Sequence, residues 1–427
     1  MRKLAALATG GGQRKDEHLL WETLLECARV AAGEGAALPI APDELAGTEP
    51  AIRSHVSYFA GLHAYMRREY AAATWWLQRM SAPTGRLQAR KLQLEAHVAL
   101  ARDAVTESVS LLIAASDILA REAPDDADLL RVLRTIAALA SDVLSDASNF
   151  EATMPPPPRP PRFEVQRRRI AGWGHVLAAE HRAARTCFVR EDLAAVSRTE
   201  RLDACLDRMS LALMLDLSID PQIAQAQVDF IKECIQGISW NDLDDFSSLV
   251  HSASTLAELG AVDEASRAAV MGRHMLERAG PRSAFAHGSL ARALLDEAGA
   301  LAMRSKDGHA AADSAGRAYG VFARIGFDWR AARMATVMYQ ASHGRRWKQR
   351  AAQHLSFYPP TAFPQILSLG LLTRREREVL YLTHGGHSVR EIGQTLVLGE
   401  STVRSHLGDI RRKLGVNAWV LGASRLL

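Results

Sequence analysis

The segment 372–417 constrains the fold most strongly, because it contains the same helix-start signal twice. Thr373 is followed three residues later by Glu376, and Ser388 is followed by Glu391 at the same spacing. In such a capping box the hydroxyl accepts a hydrogen bond from the glutamate backbone N–H, and the glutamate carboxylate accepts one from the backbone N–H of the first residue. The segment is therefore predicted to begin one short helix near 373 and a second near 388.

A third helix is predicted over residues 400–414, after a tight turn. Its apolar residues recur at spacings of four, three and four, which places them on one buried stripe. The stripe consists of Val403, Leu407, Ile410 and Leu414. The opposite face carries Thr402, Arg404, Ser405, Gly408, Arg411 and Arg412. A short helix, a turn and a longer helix with a basic outer face predict a helix-turn-helix, whose second helix enters a DNA major groove.

This segment resembles the C-terminal DNA-binding domain of LuxR-type (GerE-like) transcription regulators. The resemblance covers about one seventh of the chain and rests on the fixed spacing of four blocks, at 372–380, 388–392, 402–406 and 410–416. It implies that the third helix reads bases through Arg404, Ser405 and Gly408. Phosphate contacts are implied for Thr402, Arg390, Arg411 and Lys413, and Arg412 lies on the same outer face. The implied partner is double-stranded promoter DNA, bound by a homodimer.

Three positions depart from the family pattern. Gly399 stands where the family usually has a serine cap, which costs only a few tenths of a kcal/mol by capping scales. Gly408 offers no side chain to a base, so specific recognition is expected to rest on Arg404 and Ser405. The last helix of the family is usually polar outside, whereas this chain has an apolar run there. The run, Trp419, Val420 and Leu421, predicts either a tighter dimer or docking on the rest of the chain.

The charge distribution favours a nucleic-acid-binding C-terminus. The whole chain has 52 Lys and Arg residues and 48 Asp and Glu residues. Residues 366–427 hold nine of the basic residues and five of the acidic ones. The remainder therefore holds 43 of each sign, so the entire excess lies in the C-terminal segment. This is the distribution expected of a neutral sensor or scaffold that carries a DNA-binding end.

Helical patterns dominate the rest of the chain, and strand signals are nearly absent. One spacing pattern occurs four times in this part of the chain. A small residue is followed twelve positions later by a second small residue, and four positions after that by an apolar residue. The pattern occurs at 61/73/77, 172/184/188, 253/265/269 and 299/311/315. It resembles a tetratricopeptide repeat, in which small residues let paired helices approach closely. The predicted fold is all-α, with a tetratricopeptide-like α-solenoid before the helix-turn-helix. An irregular helical bundle remains the alternative.

Proline-rich segments predict the domain boundaries. Six prolines within 155–161 exclude a helix there and favour extended polyproline II. The predicted organisation is a helical region at 1–153, a linker at 154–162, a second helical region at 163–355, a linker at 356–367 and the DNA-binding domain at 368–427.

No motif predicts an enzyme, a cofactor or a metal site. The chain lacks nucleophile-elbow, zinc-protease, dinucleotide and phosphate-loop patterns. The pair His384 and His387 lies in a predicted turn and is interpreted as solvated. The scattered cysteines, Cys27, Cys187, Cys205 and Cys234, suit a reducing cytosol. Without a credible signal peptide or membrane span, the protein is predicted to be cytoplasmic.

The sequence thus predicts a DNA-binding transcription regulator. The helical regions are expected to sense a small molecule or protein and to control whether the DNA-binding domain is free, dimeric or able to meet RNA polymerase. The alternative is a helical-repeat interaction scaffold whose DNA-binding domain is occluded or vestigial.

Overall fold

The computed structural model describes residues 13–31, 45, 48–122, 127–143, 161–188, 197–214, 220–237, 246–278, 288–355, 358, 372–384 and 387–414. Within these ranges the regular elements are helical and no β-strand occurs. The prediction of an all-α fold is therefore confirmed. None of the helices in the described ranges has the length and apolar character needed to cross a bilayer.

The first helices are α1 (Gln13–Ala31), α2 (Pro50–Met66), α3 (Tyr70–Leu77), α4 (Gly85–Ala101), α5 (Val105–Glu122) and α6 (Ala127–Val143). They are followed by α7 (Pro161–Leu177), α8 (His181–Phe188), α9 (Arg198–Met214), α10 (Pro221–Gly237), α11 (Phe246–Glu258) and α12 (Val262–Arg278). Next come α13 (Leu290–Met303), α14 (Gly308–Ile325), α15 (Asp328–Ser342) and α16 (Arg345–Leu355). The last are α17 (Arg374–His384), α18 (Val389–Leu396) and α19 (Glu400–Leu414). The helices divide into two compact units. The first contains α1 to α5, α6 up to Leu133 and the last two residues of α12. The second contains the rest of α6 from Arg134, the rest of α12 and the other helices from α7 to α19.

The repeat-like spacing places small residues where paired helices meet. A Cβ built on Gly61 in α2 would lie 3.2 Å from the Leu77 side chain at the end of α3. A Cβ on Gly172 in α7 would lie 2.4 Å from the ring of Phe188 in α8. A Cβ built on Gly299 in α13 would meet no atom within 4 Å. A close approach between helices therefore does not account for the glycine at this position. The structure is compatible with tetratricopeptide-like pairs, and a regular solenoid stays a prediction.

The helices before the DNA-binding segment are locked by caps and aromatic contacts. Asp307 begins α14 by accepting hydrogen bonds from the backbone N–H groups of His309 and Ala310, both at 3.0 Å. Trp347 of α16 is buried and meets Tyr319 of α14 edge to face, with ring centroids 5.3 Å apart. An aromatic pair of this kind stabilises the contact by about 0.5–1.5 kcal/mol beyond its buried area. This contact therefore holds α16 in place against α14.

The predicted linkers can be compared with the structure only at their edges. The helix α7 begins at Pro161, because proline is compatible with the first turn of a helix, where its missing N–H would have no partner. The helical region after the first linker thus starts earlier than the predicted 163. Positions 154–160, most of the second linker and the predicted docking residues lie outside the described residues. The docking residues are Trp419, Val420 and Leu421.

Candidate nucleic-acid interface

Both predicted capping boxes are present in the C-terminal segment. The backbone N–H of Thr373 donates to the Glu376 carboxylate at 2.7 Å, and the Glu376 N–H donates to the Thr373 hydroxyl at 3.3 Å. The same reciprocal bonds join Ser388 and Glu391, at 2.7 and 3.3 Å. These bonds satisfy N–H groups that have no partner within a helix. They fix the starts of α17 and α18 where the sequence predicted them.

The predicted tight turn between α18 and α19 is present and depends on Val397 and Gly393. Val397 ends α18 with φ +55°, in the left-handed region, and the Leu398 N–H then donates to the Gly393 carbonyl at 2.8 Å. A Cβ on Gly393 would lie 2.8 Å from the Leu398 carbonyl oxygen, too close for an unshifted backbone. The absence of a side chain at Gly393 thus lets the chain turn back sharply before α19.

A small apolar core holds the three helices together. Its fully buried members are Val379, Leu380, Ile392, Val403 and Ile410. Leu407 is half-buried, and the side chain of Leu414 lies outside the described residues. The predicted stripe is therefore confirmed at two of its four positions, Val403 and Ile410, and partly at a third. Because Val403 and Ile410 face inward, Arg404, Ser405 and Gly408 on the other side of the helix are turned toward solvent.

The outer face of α19 is open. Its exposed members are Thr402, Arg404, Ser405, Gly408, Arg411 and Arg412. A Cβ on Gly408 would meet no atom within 4 Å, so no part of the described chain covers this face at its middle. Arg390, in the first turn of α18, is also exposed.

Two of the outer cations pair with carboxylates on their own helix. Arg404 donates to Glu400 at 3.0 Å, with the side chains 66% and 48% exposed. Arg412 donates to Asp409 in a similarly exposed pair. Exposed pairs at helical spacing contribute only about 0.3–0.5 kcal/mol. Both guanidinium groups can therefore turn to a stronger acceptor at small cost.

Lys413 occupies a different environment from the other predicted contacts. Its ammonium lies 2.7 Å from both carboxylate oxygens of Glu376, whose side chain is 4% exposed. Burial would raise the pKa of Glu376, but hydrogen bonds from Lys413 and Thr373 hold that pKa below its usual value. The predicted phosphate contact of Lys413 stays a prediction, and the structure gives this residue a second role in joining α19 to α17.

Arg375 joins the first two helices of the segment. It pairs with Glu378 at 2.7 Å and donates to the carbonyl of Leu396, in the last turn of α18. That carbonyl has no partner within its own helix, so a cation satisfies it well. Arg375 lies in the block 372–380 that carries the family resemblance, but sequence spacing alone did not predict its contact with Leu396.

Three short helices with this turn and open basic face define a helix-turn-helix unit. This is the class of domain that places a helix in a DNA groove.

Comparison with known proteins agrees with this class. Residues 370–420 match the profile of the family described as "Bacterial regulatory proteins, luxR family". Over 49 residues the chain is 49% identical to the transcriptional regulatory protein DegU of Brevibacillus brevis, covering 12% of this chain and 21% of that protein. Over 46 residues it is 46% identical to the spore germination protein GerE of Bacillus subtilis (strain 168), covering 11% of this chain and 62% of that protein.

Residues 370–420 of this chain therefore form a helix-turn-helix domain of the luxR type. The chain spans less than two thirds of the length of either relative, and the family model matches residues 370–420. The family assignment thus covers the DNA-binding domain alone.

Proposed function

We propose that this protein is a DNA-binding transcription regulator whose α19 enters the major groove of promoter DNA. The observation that carries the proposal is the orientation of α19. Val403 and Ile410 are buried at 0% and 1% exposure, while Arg404 is exposed on the opposite side. Recognition of DNA in the major groove requires an exposed basic helix that is held in place by the other helices of the domain.

The outer face divides into base-reading and phosphate-binding residues. Arg404 is proposed to donate to the O6 and N7 atoms of a guanine, with Ser405 beside it. Gly408 lets the helix approach the groove closely. The proposed phosphate contacts are Thr402, Arg390, Arg411, Arg412 and Lys413. Lys413 reaches a phosphate only by sharing its ammonium with Glu376.

Selection of bound fragments from a genomic library tests this function. The full chain should recover a common sequence, and Arg404→Ala should bind that sequence about 5–150-fold more weakly with relaxed preference, the equivalent of roughly 1–3 kcal/mol. Arg273→Gln, an exposed change on α12, is the matched control and should leave recovery unchanged. If the wild-type chain binds no duplex at low salt, the proposed function is wrong.

We further propose that the second unit receives the regulatory signal in a buried polar cavity of about 60 Å³. Trp173 and Trp329 form part of its wall, and Arg169, His251 and Arg330 project into it. The volume has room for roughly four to six waters, or for a small molecule with about as many non-hydrogen atoms.

The residues around the cavity form an interlocked charge network. Arg169 donates to Asp207 at 2.6 Å and to Asp203 at 2.8 Å, and Trp173 donates its indole N–H to Asp207 at 3.0 Å. Arg330 donates to Asp142 at 2.8 Å and also pairs with Glu297. These pairs tie α7 to α9, and α15 to α6 and α13. The helix α11 joins the two groups, because its Ser248 donates to Asp203 and its Glu258 pairs with Arg333. A molecule that disturbs one pair therefore acts on several helices at once.

The charges of this network indicate the chemistry of the ligand. Arg169, Arg330 and Arg333 face five carboxylates, those of Asp142, Asp203, Asp207, Glu258 and Glu297. Burial, with Arg330 and Arg169 nearby, lowers the pKa of His251 to about 3, so this histidine is neutral. The cavity itself is lined by these three arginines and by two of the carboxylates, Asp207 and Glu258, and each of these charges has a partner. A lining whose charges are already paired favours a small uncharged molecule rich in hydrogen-bonding groups.

Thermal-shift screening of small polyols and amides tests the sensing proposal. Hits should stabilise the wild type but not Ala138→Phe, which fills the cavity from its wall. A hit should also change the affinity for the selected DNA. Compounds that stabilise both proteins equally bind elsewhere and would contradict this site.

The alternative is an interaction scaffold with an occluded DNA-binding domain. Gel shifts of the full chain and of residues 360–427 separate the two functions, because occlusion requires the shorter chain to bind more tightly. Homodimer formation and contact with RNA polymerase are further proposals. The dimer proposal rests on Trp419, Val420 and Leu421, and mass measurement of the full chain and its Trp419→Ala variant tests it.

A further inference from the structure

The helix α16 carries an unusual concentration of positive charge. Its first six residues read Arg-Arg-Trp-Lys-Gln-Arg, and no Asp or Glu occurs in the sequence between Asp328 and Glu376. We propose that α16 is a second DNA-binding element, which contacts the phosphate backbone beside the site read by α19. This inference rests on the proposed function and names a further surface for the same partner.

The cations of α16 are not neutralised by neighbouring acids. Arg345, Arg346 and Arg350 are exposed and Lys348 is half-buried. Among the residues that the structure describes, none of the four forms an ion pair with a carboxylate. In contrast, His354 on the same helix lies 2.7 Å from Asp328. The N-terminal half of α16 thus has a net positive charge that no described residue compensates.

Aromatic rings hold these cations in place. The Arg350 guanidinium lies 4.8 Å from the Trp347 ring centroid and 5.6 Å from that of Tyr319. Arg346 lies 5.1 Å from Trp347, and the Lys348 ammonium lies 5.9 Å from Tyr339. Such contacts attract the cation to the face of a ring without removing its charge. They order the long side chains, so less conformational entropy is lost when an anion binds.

The position of the charges within α16 conflicts with helix stability. Arg345, Arg346 and Lys348 all lie in the first turn, and that turn contains no acidic residue. The backbone dipole makes the N-terminus of a helix electropositive, so cations are unfavourable there and anions are favourable. Departures from a local rule occur preferentially at functional sites. A bound phosphate would be stabilised by the side chains, the dipole and the unpaired N–H groups together.

The location of α16 identifies duplex DNA as the anion. Within the second unit α16 packs against α19, the proposed reading helix. When a helix occupies the major groove, the phosphates of both strands run along its flanks. A cationic helix beside α19 therefore lies where the DNA backbone passes. Duplex DNA carries one negative charge per about 1.7 Å of its axis, which suits a cluster of closely spaced cations.

The salt dependence of DNA binding tests this surface. The variant R345Q/R346Q/K348Q of the full chain is compared with wild type by fluorescence anisotropy on a duplex of arbitrary sequence, since phosphate contacts do not require an operator. Each lost contact should reduce the slope of log K against log salt by about 0.9, so the slope should fall by roughly two to three. Affinity at low salt should fall at least tenfold.

A matched variant separates local contacts from total charge. R185Q/R273Q/R292Q removes the same charge from exposed positions on α8, α12 and α13 of the second unit. It should leave the slope close to that of wild type. The α16 variant should melt close to wild type, because relief of the unfavourable charges in the first turn offsets the lost contacts of Arg346 and Lys348 with aromatic rings. Lost DNA affinity without lost stability excludes a purely structural role.

Three other results would overturn the inference. Equal reductions of the slope in both triple variants would indicate long-range charge alone. A wild-type slope in the α16 variant, while Arg404→Ala still loses sequence preference, would remove α16 from the interface and leave the proposed function intact. If wild type binds no duplex in any salt, the proposed function fails and this inference fails with it.

Discussion

Lys413 holds both carboxylate oxygens of Glu376 at 2.7 Å, and this pair joins the end of α19 to the start of α17. Glu376 also accepts the backbone N–H of Thr373, so one buried carboxylate caps a helix and anchors the reading helix at once. The resemblance to the luxR family assigns Lys413 to phosphate binding. The geometry indicates that much of its contribution is to the stability of the domain.

Lys413→Met should therefore destabilise the DNA-binding domain. The change leaves the Glu376 carboxylate buried with fewer hydrogen bonds, which costs about 1.5–3 kcal/mol by the strength of bonds to charged groups. Urea unfolding followed by hydrogen exchange in α17 and α19 measures this loss. Arg412→Ala removes an exposed cation one residue away and should change stability by less than about 0.5 kcal/mol. A stable Lys413→Met protein with a reduced salt slope would instead favour the phosphate contact.

Acidification should remove the contribution of the same pair. The folded-state pKa of Glu376 lies below its ordinary value of 4.5, so the carboxylate stabilises the folded domain above that pH. The contribution declines as the pH falls through the folded-state pKa. The stability gap between wild type and Lys413→Met should accordingly shrink in acid. Thermal melting of both proteins over that range measures the gap, and a gap independent of pH would contradict the assignment.

Local rules were read correctly from the sequence, and long-range partners were not. The capping boxes at Thr373 and Ser388 and the burial of Val403 follow from interactions within a few residues, which spacing alone encodes. Lys413 and Glu376 are 37 residues apart, and nothing in the spacing pairs them. Their contact exists only because α17 and α19 cross, and tertiary packing decides that crossing.

The helices α7 to α15 show the same limit more strongly. Their helical character follows from the absence of strand patterns, whereas the network around Arg169 joins residues 34 and 38 positions apart. The charge of α16 was visible as an acid-free stretch between Asp328 and Glu376. Its meaning depends on α16 lying against α19, which only the structure provides.

Glu400→Gln should tighten DNA binding. The Glu400 carboxylate accepts from Arg404 at 3.0 Å in an exposed pair, so it competes with a guanine for the same guanidinium. Loss of about 0.3–0.5 kcal/mol of competition corresponds to roughly a twofold gain in affinity, and removing a negative charge near phosphates adds to it. Anisotropy titration against the selected sequence measures the change. Glu264→Gln, in a comparable pair with Arg267 on α12, is the control. Weaker binding by Glu400→Gln would show that Glu400 positions Arg404 for recognition.

Val397→Gly should stabilise the DNA-binding domain. Val397 is β-branched, has φ +55° and is 89% exposed, so its side chain gains little from packing while its backbone is strained. The left-handed region costs an L-residue about 1–2 kcal/mol, and glycine loses about 0.5–1 kcal/mol in extra chain entropy. The net gain should be roughly 0.5–1 kcal/mol in urea unfolding. Val397→Ala relieves the branching alone and should give a smaller gain. A loss of stability in the glycine variant would show that the valine side chain makes a stabilising contact.

Arg169→Met should strongly destabilise the second unit. Arg169 neutralises Asp203 and Asp207, whose side chains are 3% and 1% exposed, and methionine fills similar space without a charge. Removing one partner of a buried ion pair costs about 3–5 kcal/mol, because the remaining charge is left without compensation. Asp207→Asn added to Arg169→Met should recover part of this loss by removing one of the carboxylates. Urea unfolding of the single and double variants at neutral pH measures both changes. A double variant no more stable than Arg169→Met would mean that the loss comes from packing around the methionine.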